Sequence, residues 1–276
     1  MSYEGITTGA PSRSVEGTMN YLGPMEGTPY VDVQNRGRDR LTVESHRVTF
    51  TDARPIAGQL SLEREGFRLL QHRTSMTRAE FQDPERVREV YLREMAEVVK
   101  AETGADRVVS ALGPVLRFNG ERQNAVKPAA IAHSDYSEYT LRAQMAFQLG
   151  LSAPEFRPYR RIVAYQTWRA LSPPPQDNTL ALCDSRTVSV ADRVLSKFDV
   201  TQPRSATLEF YMYRFNPAHR WYYFEDLTSE ELVVFKGFEG DGPDRQNVLH
   251  GAFAPPPTPN AIPRESIETR TFAFFS

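Results

Sequence analysis

The 276-residue chain has one cysteine, four lysines, two tryptophans and no excess of either charge. Cys183 alone cannot close an intramolecular disulfide, and secreted chains more often carry paired cysteines, so a reducing, cytoplasmic compartment is expected. With 33 Lys+Arg against 35 Asp+Glu the formal charge is −2, which provides no field to gather phosphate or anionic lipid. Nucleic acid is thereby excluded as the main partner. The amino-terminal MSYEGITTGAPSRS lacks an apolar core, and no run approaches the roughly 18 to 20 apolar residues of a membrane span, so no membrane partner is expected. Four of the 33 basic residues are lysine and the rest arginine, a ratio from which no function is drawn.

What is present is globular material: 40% hydrophobic and 25% charged residues rule out whole-chain disorder and allow a sizeable core. Residues 1–276 are expected to form one elaborated domain without internal repeats. Residues 1–18, rich in Gly, Ser, Thr and Pro, read as a loosely held tail. In 19–104, expected to pack strands and a helix on the core, ESHRVTFT at 44–51 places His46, Val48 and Phe50 on one strand face, and GFRLLQHRT at 66–74 is a second extended run. Asp83-Pro84 then opens a helix whose Val87, Val90, Tyr91, Met95, Val98 and Val99 form an apolar stripe ending at Gly104, with Tyr91 and Met95 assigned to the core. From 105 to 276 short β-rich runs separated by Pro, Gly, Asn and Asp point to an antiparallel sandwich or barrel. One helix interrupts them at 137–149, capped by Ser137 and repeating Leu141, Met145 and Leu149. The proline-rich runs at 172–178 and 254–263 read as stiff loops.

His133-Ser134-Asp135 ends an apolar run, so it sits at a strand end. Residues i and i+2 of a strand share a face, and one imidazole and one carboxylate converge there. His250, in the β run VLHGAF, supplies a third ligand type. Two His and one carboxylate leave the opposite side of a metal open, as in non-haem Fe(II) oxygenases. Fourteen residues on, Arg264 and Ser266 share a face at the start of the last strand, and an arginine fork with a hydroxyl suits a carboxylate. Taken alone, HxD is weak; the joint pattern is much rarer by chance than any one piece.

These motifs, with TFTDARP at 49–55, LSLEREGF at 60–67, AHSDYS at 132–137, TWRAL at 167–171, LALCDSRTV at 180–188, HRWYYFEDLTSEELVVFKGFE at 219–239 and PRESIETR at 263–270, resemble the Fe(II)/2-oxoglutarate-dependent dioxygenase superfamily. Within it they are most similar to a hydroxylase/desaturase group that includes the cephalosporin 7α-hydroxylase component and a fungal gibberellin desaturase. The resemblance runs from about residue 21 to the end, and the aromatic-acidic block and PRESIETR are its specific parts. It implies a mainly β fold with flanking helices, the double-stranded β-helix (jelly roll, cupin-like). It implies an enzyme using Fe(II), 2-oxoglutarate and O2 to hydroxylate, desaturate or cyclise a small secondary-metabolite or amino-acid-like molecule. The iron ligands it implies are His133, Asp135 and His250, with Arg264 and Ser266 holding the distal carboxylate of 2-oxoglutarate. Arg270, on the same face as Arg264, is the alternative anchor; the spacing from His250 and the pairing with Ser266 favour Arg264.

Arg169 is a candidate to receive an acidic substrate, with an ion pair at the barrel rim as the even alternative. Tyr165, which shares its face, and Trp168 are weaker pocket candidates. Asp184 and Arg186 read as a loop salt bridge. His219, Trp221, Tyr223 and Phe224 read as packing, since base stacking would need a basic groove; His46 and His72 read as ordinary strand residues. Two other functions compete. One is an accessory jelly-roll subunit of a two-protein tailoring system, against which retention of all the site residue types argues. The other is a metal-dependent cupin-type enzyme without 2-oxoglutarate, which would have no use for Arg264. The sequence sets neither the oligomeric state nor the need for a partner protein.

Overall fold

The computed structural model describes residues 13–32, 35–111, 113–121, 126–150, 159–200, 206–240 and 247–276. Its strands form two sheets. The nine-stranded sheet runs β1 (Ser14–Leu22), β3 (Val43–Asp52), β12 (Trp221–Tyr223), β9 (Thr179–Cys183), β14 (His250–Phe253), β7 (His133–Ser134), β11 (Ala206–Tyr213), β10 (Arg193–Val200), β2 (Tyr30–Asp32). The six-stranded sheet runs β4 (Phe67–Gln71), β13 (Glu231–Phe238), β8 (Arg161–Ala170), β15 (Glu265–Phe275), β5 (Arg107–Ser110), with β6 (Val115–Phe118) paired to the first part of β15. This is the expected jelly roll. The polar segment read as a tail in part is not one: β1 begins at Ser14 and pairs residue by residue with β3, from Ser14 opposite Thr51 to Leu22 opposite Val43. As the edge strand of its sheet, β1 is polar where it is exposed and fully buried only at Met19, Tyr21 and Leu22, with Val15 partly buried.

Side-chain alternation on β8 and β15 sorts residues into two layers. The outer face carries Val163, Tyr165, Ile267 and Ala273, which pack on Tyr91, Met95 and Val99 of the helical layer. That layer starts as α1 (Pro84–Arg86), passes through a π turn at Val87–Tyr91, and continues as α2 (Leu92–Thr103). As the sequence indicates, Asp83 accepts hydrogen bonds from the Glu85 and Arg86 amides, and Gly104 ends the helix at φ +67, a left-handed conformation that favours glycine. The inner face meets the nine-stranded sheet in two apolar clusters. Trp168, Ala170, Leu180, Leu182, Phe224, Phe235 and Val248 form one; Tyr136, Leu141, Met145, Ala164, Phe238, Phe272 and Phe274 form the other, beneath α3 (Glu138–Leu149), which Ser137 caps through the Thr140 amide. The side chain of Leu149 lies outside the described residues. Along β8 the inner face changes from Trp168 to Gln166 to Ala164, so a polar belt lies between the two apolar clusters. The site is in that belt.

Candidate metal and anion site

His133 on β7 and His250 on β14 are direct antiparallel partners, and Asp135 follows β7 at its open end. One ligand atom from each lies within 4.8 Å of the others. Local hydrogen bonds set the chemistry of all three. His133 Nδ1 faces the Ile131 carbonyl at 2.7 Å, and His250 Nδ1 faces the Val248 carbonyl at 3.0 Å. A carbonyl only accepts, so Nδ1 donates in both rings and Nε2 keeps the lone pair in the neutral form, the one a metal needs. Burial, then the proximity of His133, pushes His250 down to about 4, which keeps that ring neutral around pH 7.

Asp135 completes the set through one oxygen. Its Oδ2 accepts from Arg270 Nε at 2.8 Å, Arg270 Nη2 at 2.6 Å and Gln166 Nε2 at 3.0 Å. Its Oδ1 is turned to the histidines, 3.4 Å from His133 Nε2 and 3.9 Å from His250 Nε2. Burial alone would raise the Asp135 carboxyl; Arg270 and the two histidines outweigh it and hold the group well below the usual carboxylate range. Two Nε2 atoms and an anionic oxygen thus lie close together, a donor set that suits a cation. The donor set, two imidazoles and a monodentate carboxylate with one side open, fits Fe(II).

The second feature is a buried cation with unpaired donors. Arg264, at the start of β15, is 2% exposed, and its Nε and Nη1 have no hydrogen-bond partner; nor does Ser266 Oγ, on the same face. Burial, with the charge of Arg117 added, pushes the Arg264 guanidinium down to about 9, a charge in need of a counter-ion. The backbone that presents it is fixed: the Arg264 amide donates to Asp177 Oδ1 at 2.9 Å, and Asn119 holds Asp177 Oδ2 at 2.9 Å. A carboxylate between Arg264 and Ser266 would give a partner to Ser266 Oγ and to one edge of the guanidinium.

The other expected site residues separate by strand parity. Trp168 lies on the inner face, with the Arg264 guanidinium 5.5 Å from its ring centroid, so it walls the anion pocket. Tyr165 is buried on the outer face among the helical residues. Arg169 also points outward, which corrects its reading as a substrate receptor: Nε donates to the Tyr91 hydroxyl at 3.0 Å, Nη1 to the His72 carbonyl at 2.7 Å and to the Ser229 carbonyl, and Nη2 to His72 Nδ1 at 2.7 Å. It is a fully buried strut between the sheet and the π turn. Arg270 is at the site, but both Asp135 and Glu268, the latter at 2.8 Å, already occupy its guanidinium, which argues against its role as the alternative anchor. Arg186 does pair with Asp184, at 2.6 Å, although Asp184 is buried rather than on the surface. His219 hydrogen-bonds Tyr21 and Asp192 and faces no metal position. Two site residues escaped the sequence reading, Gln166 and Glu268. Glu268 shares the parity of Ser266 and Arg270 and was open to the same alternation argument; Gln166 emerges only from its register opposite Arg270.

Residues 19–274 match the family described as oxidoreductase/YMDC permease-like domain. The chain belongs to this family. Among the described residues no helix is long and apolar enough to cross a membrane. Relatives include the Fe(II)/2-oxoglutarate-dependent dioxygenase nvfI of Aspergillus novofumigatus, 29% identical over 83% of this chain and 83% of its own length. The hydroxylase/desaturase efuI of Hormonema carpetanum is 27% identical over 98% of both chains. A solved structure of the iron and alpha-ketoglutarate-dependent endoperoxidase NvfI superposes with a TM-score of 0.83 at 27% identity, over 95% of this chain and 98% of that one. The resemblance read from the motifs is borne out, and with it the jelly roll, the oxygenase class and the two cofactors, Fe(II) and 2-oxoglutarate.

Proposed function

We propose that the protein is a single-domain oxygenase in which His133, Asp135 and His250 hold Fe(II), Arg264 and Ser266 receive the distal carboxylate of 2-oxoglutarate, and a small secondary-metabolite substrate is hydroxylated, desaturated or cyclised. The observation that carries this reading is the pairing of a cluster of two histidines and Asp135, whose ligand atoms lie within 4.8 Å of one another, with the buried Arg264 Nε and Nη1 and Ser266 Oγ, which have no hydrogen-bond partner, at the start of β15. When bound, iron chelated by 2-oxoglutarate supplies, with O2, the oxidising power to take hydrogen from an unactivated C–H bond as 2-oxoglutarate becomes succinate and CO2.

The chain's own residues position and exclude. The Ile131 and Val248 carbonyls hold the two imidazoles with Nε2 inward; Arg270 and Gln166 hold Asp135 with Oδ1 inward; the apolar clusters flank the polar belt on either side. A metal-dependent enzyme without 2-oxoglutarate would leave the orphaned Arg264 unexplained. Reading the relatives' chemistry into this chain gives O2 and a small molecule as its partners, and the buried, unpaired Cys183 suits a reducing, cytoplasmic compartment.

The test is anaerobic addition of Fe(II) and 2-oxoglutarate to the metal-free protein. A weak visible charge-transfer band is expected, absent in His133→Ala and His250→Ala although both remain folded. Wild-type iron content and an unchanged band in both variants would remove the ligand assignment.

A further inference from the structure

We infer that Gln166, given room by the missing side chain of Gly237, is a positioning residue that fixes Asp135 as a one-oxygen ligand. The inference rests on the ligand assignment proposed above. Gln166 is fully buried on the inner face of β8, and its Nε2 donates to Asp135 Oδ2 at 3.0 Å and to Glu268 Oε1 at 3.0 Å. Both partners are carboxylate oxygens, which only accept, so the amide has one sensible orientation, nitrogen toward the carboxylates and oxygen away. That oxygen, Oε1, has no hydrogen-bond partner. A buried acceptor left alone destabilises a fold, and an apolar side chain of the same size would serve packing better. The two N–H groups are what an apolar residue could not supply.

Those two bonds close a ring. Gln166 binds Asp135, Asp135 binds Arg270 at 2.6 and 2.8 Å, Arg270 binds Glu268 at 2.8 Å, and Glu268 returns to Gln166. Turning Asp135 so that both oxygens faced the metal would break or strain three hydrogen bonds at once. Arg270 alone does not impose this, because its guanidinium is shared with Glu268 and can follow either carboxylate; the amide ties the two carboxylates together.

Gly237 explains how the amide fits. It sits on β13 where the pairing with β8 is irregular, between Lys236 and Phe238. A Cβ there would lie 2.5 Å from Gln166 Oε1, 3.2 Å from Gln166 Cδ and 3.3 Å from the Ala164 carbonyl oxygen. A free glutamine tip would swing aside, but this one is committed through both N–H groups to carboxylates, so it moves only by releasing one. Position 237 therefore controls the metal ligand through the amide, without touching it.

The experiment is a Mn(II) titration of the metal-free protein, wild type against Gln166→Ala, Gly237→Ala, the double variant and His133→Ala, with a Co(II) absorption spectrum of each as a readout of ligand geometry. Gln166→Ala and Gly237→Ala should each weaken Mn(II) binding about tenfold and alter the Co(II) spectrum, as loss of an outer-shell partner does. The double variant should be no weaker than Gln166→Ala, because the added methyl acts through an amide that is gone. If wild type binds no Mn(II), or His133→Ala binds it as tightly, the ligand assignment fails. If binding depends on His133 but Gln166→Ala stays within about twofold of wild type, only the positioning role fails. A Gly237→Ala effect that persists in the Gln166→Ala background overturns the clearance argument. Should Gly237→Ala be too unstable to titrate, the double variant is expected to fold, and its failure to fold overturns the same argument.

Discussion

Replacing Arg264 by Leu should stabilise the metal-free protein and impair its use of 2-oxoglutarate, two effects of opposite sign from one substitution. The guanidinium is 2% exposed, with Nε and Nη1 unpartnered. A buried polar group without a partner costs roughly 1 to 3 kcal/mol, which Leu does not incur. Against that stand the attraction of Glu268 and Asp177 and the contact with the Trp168 ring at 5.5 Å. A net gain of about 1 kcal/mol is expected, which for a chain of this size raises Tm by roughly 2 to 4 °C. With 2-oxoglutarate the sign reverses. Losing a charge-assisted pair removes about 1.5 to 3 kcal/mol, so the Kd rises roughly 10- to 150-fold. Calorimetry of the metal-free protein reads the first effect, and titration of 2-oxoglutarate against the visible band of the Fe(II) complex reads the second. Arg264→Lys should recover part of the affinity, because an ammonium keeps the charge and loses the fork. A lowered Tm together with an unchanged 2-oxoglutarate Kd would show that the guanidinium is structural and that the anchor lies elsewhere.

Arg270→Leu should act oppositely: it strips Asp135 and Glu268 of a shared buried cation and should destabilise the fold by about 3 to 5 kcal/mol, seen as a lowered melting temperature; a loss under about 1 kcal/mol would refute the ring of bonds. Arg169→Leu orphans the His72 and Ser229 carbonyls and should cost about 3 kcal/mol of stability while leaving the KM of any substrate unchanged; a raised KM with an unaltered Tm would return Arg169 to the site. Burial and His133 hold His250 at about 4 in the fold against 6.5 ordinarily, so the unfolded chain takes up the proton first as pH falls. That contribution, about 3 kcal/mol, is complete above the ordinary value and is lost as pH drops through to the folded one. Unfolding measured between these limits should show it, and an equal slope in His250→Gln would rule it out.

The metal cluster was legible because its signal is chemical: His133, Asp135 and His250 are rare residue types at strand positions, and period-two alternation brings the first two together. Arg264 and Ser266, proposed as the anchor, stood out for the same reason. Orientation on β8 was not. Alternation correctly grouped Tyr165, Thr167 and Arg169 on one face, but every residue from Val163 to Ala170 is buried, because the helical layer covers the outer face as the second sheet covers the inner one. A strand buried on both sides reads as continuously apolar, and nothing in it distinguishes in from out. The conspicuous charge, Arg169, lay on the helix side, while the inner belt was marked by the less conspicuous Gln166. The start of β1 was lost through the opposite problem: an edge strand whose first residues are mostly polar and alternate between exposed and half-buried looks like a tail until its partner is known. The π turn that sets Tyr91 against Arg169 has no sequence signal in the apolar stripe, which reads as an uninterrupted helix.

The charges around the polar belt explain why the two cofactors belong to one site. Arg264, Arg270 and the half-buried Arg117 stand against Asp135, Glu268 and the half-buried Asp177, so the protein contributes a balanced set before anything binds. Iron(II) alone would leave two uncompensated positive charges in that largely buried layer, and 2-oxoglutarate alone two negative ones; either is unfavourable where solvation is reduced. Together they restore the balance. The placement follows the same rule along β15. Arg264 and Arg117 lie at one end of the strand pair, and Glu268 lies beside Gln166, which binds Asp135. A strand whose inner face reads Arg264, Ser266, Glu268, Arg270 thus carries the proposed anion anchor at its start and the support of Asp135 further along, which is why one short motif accounts for so much of the proposed site.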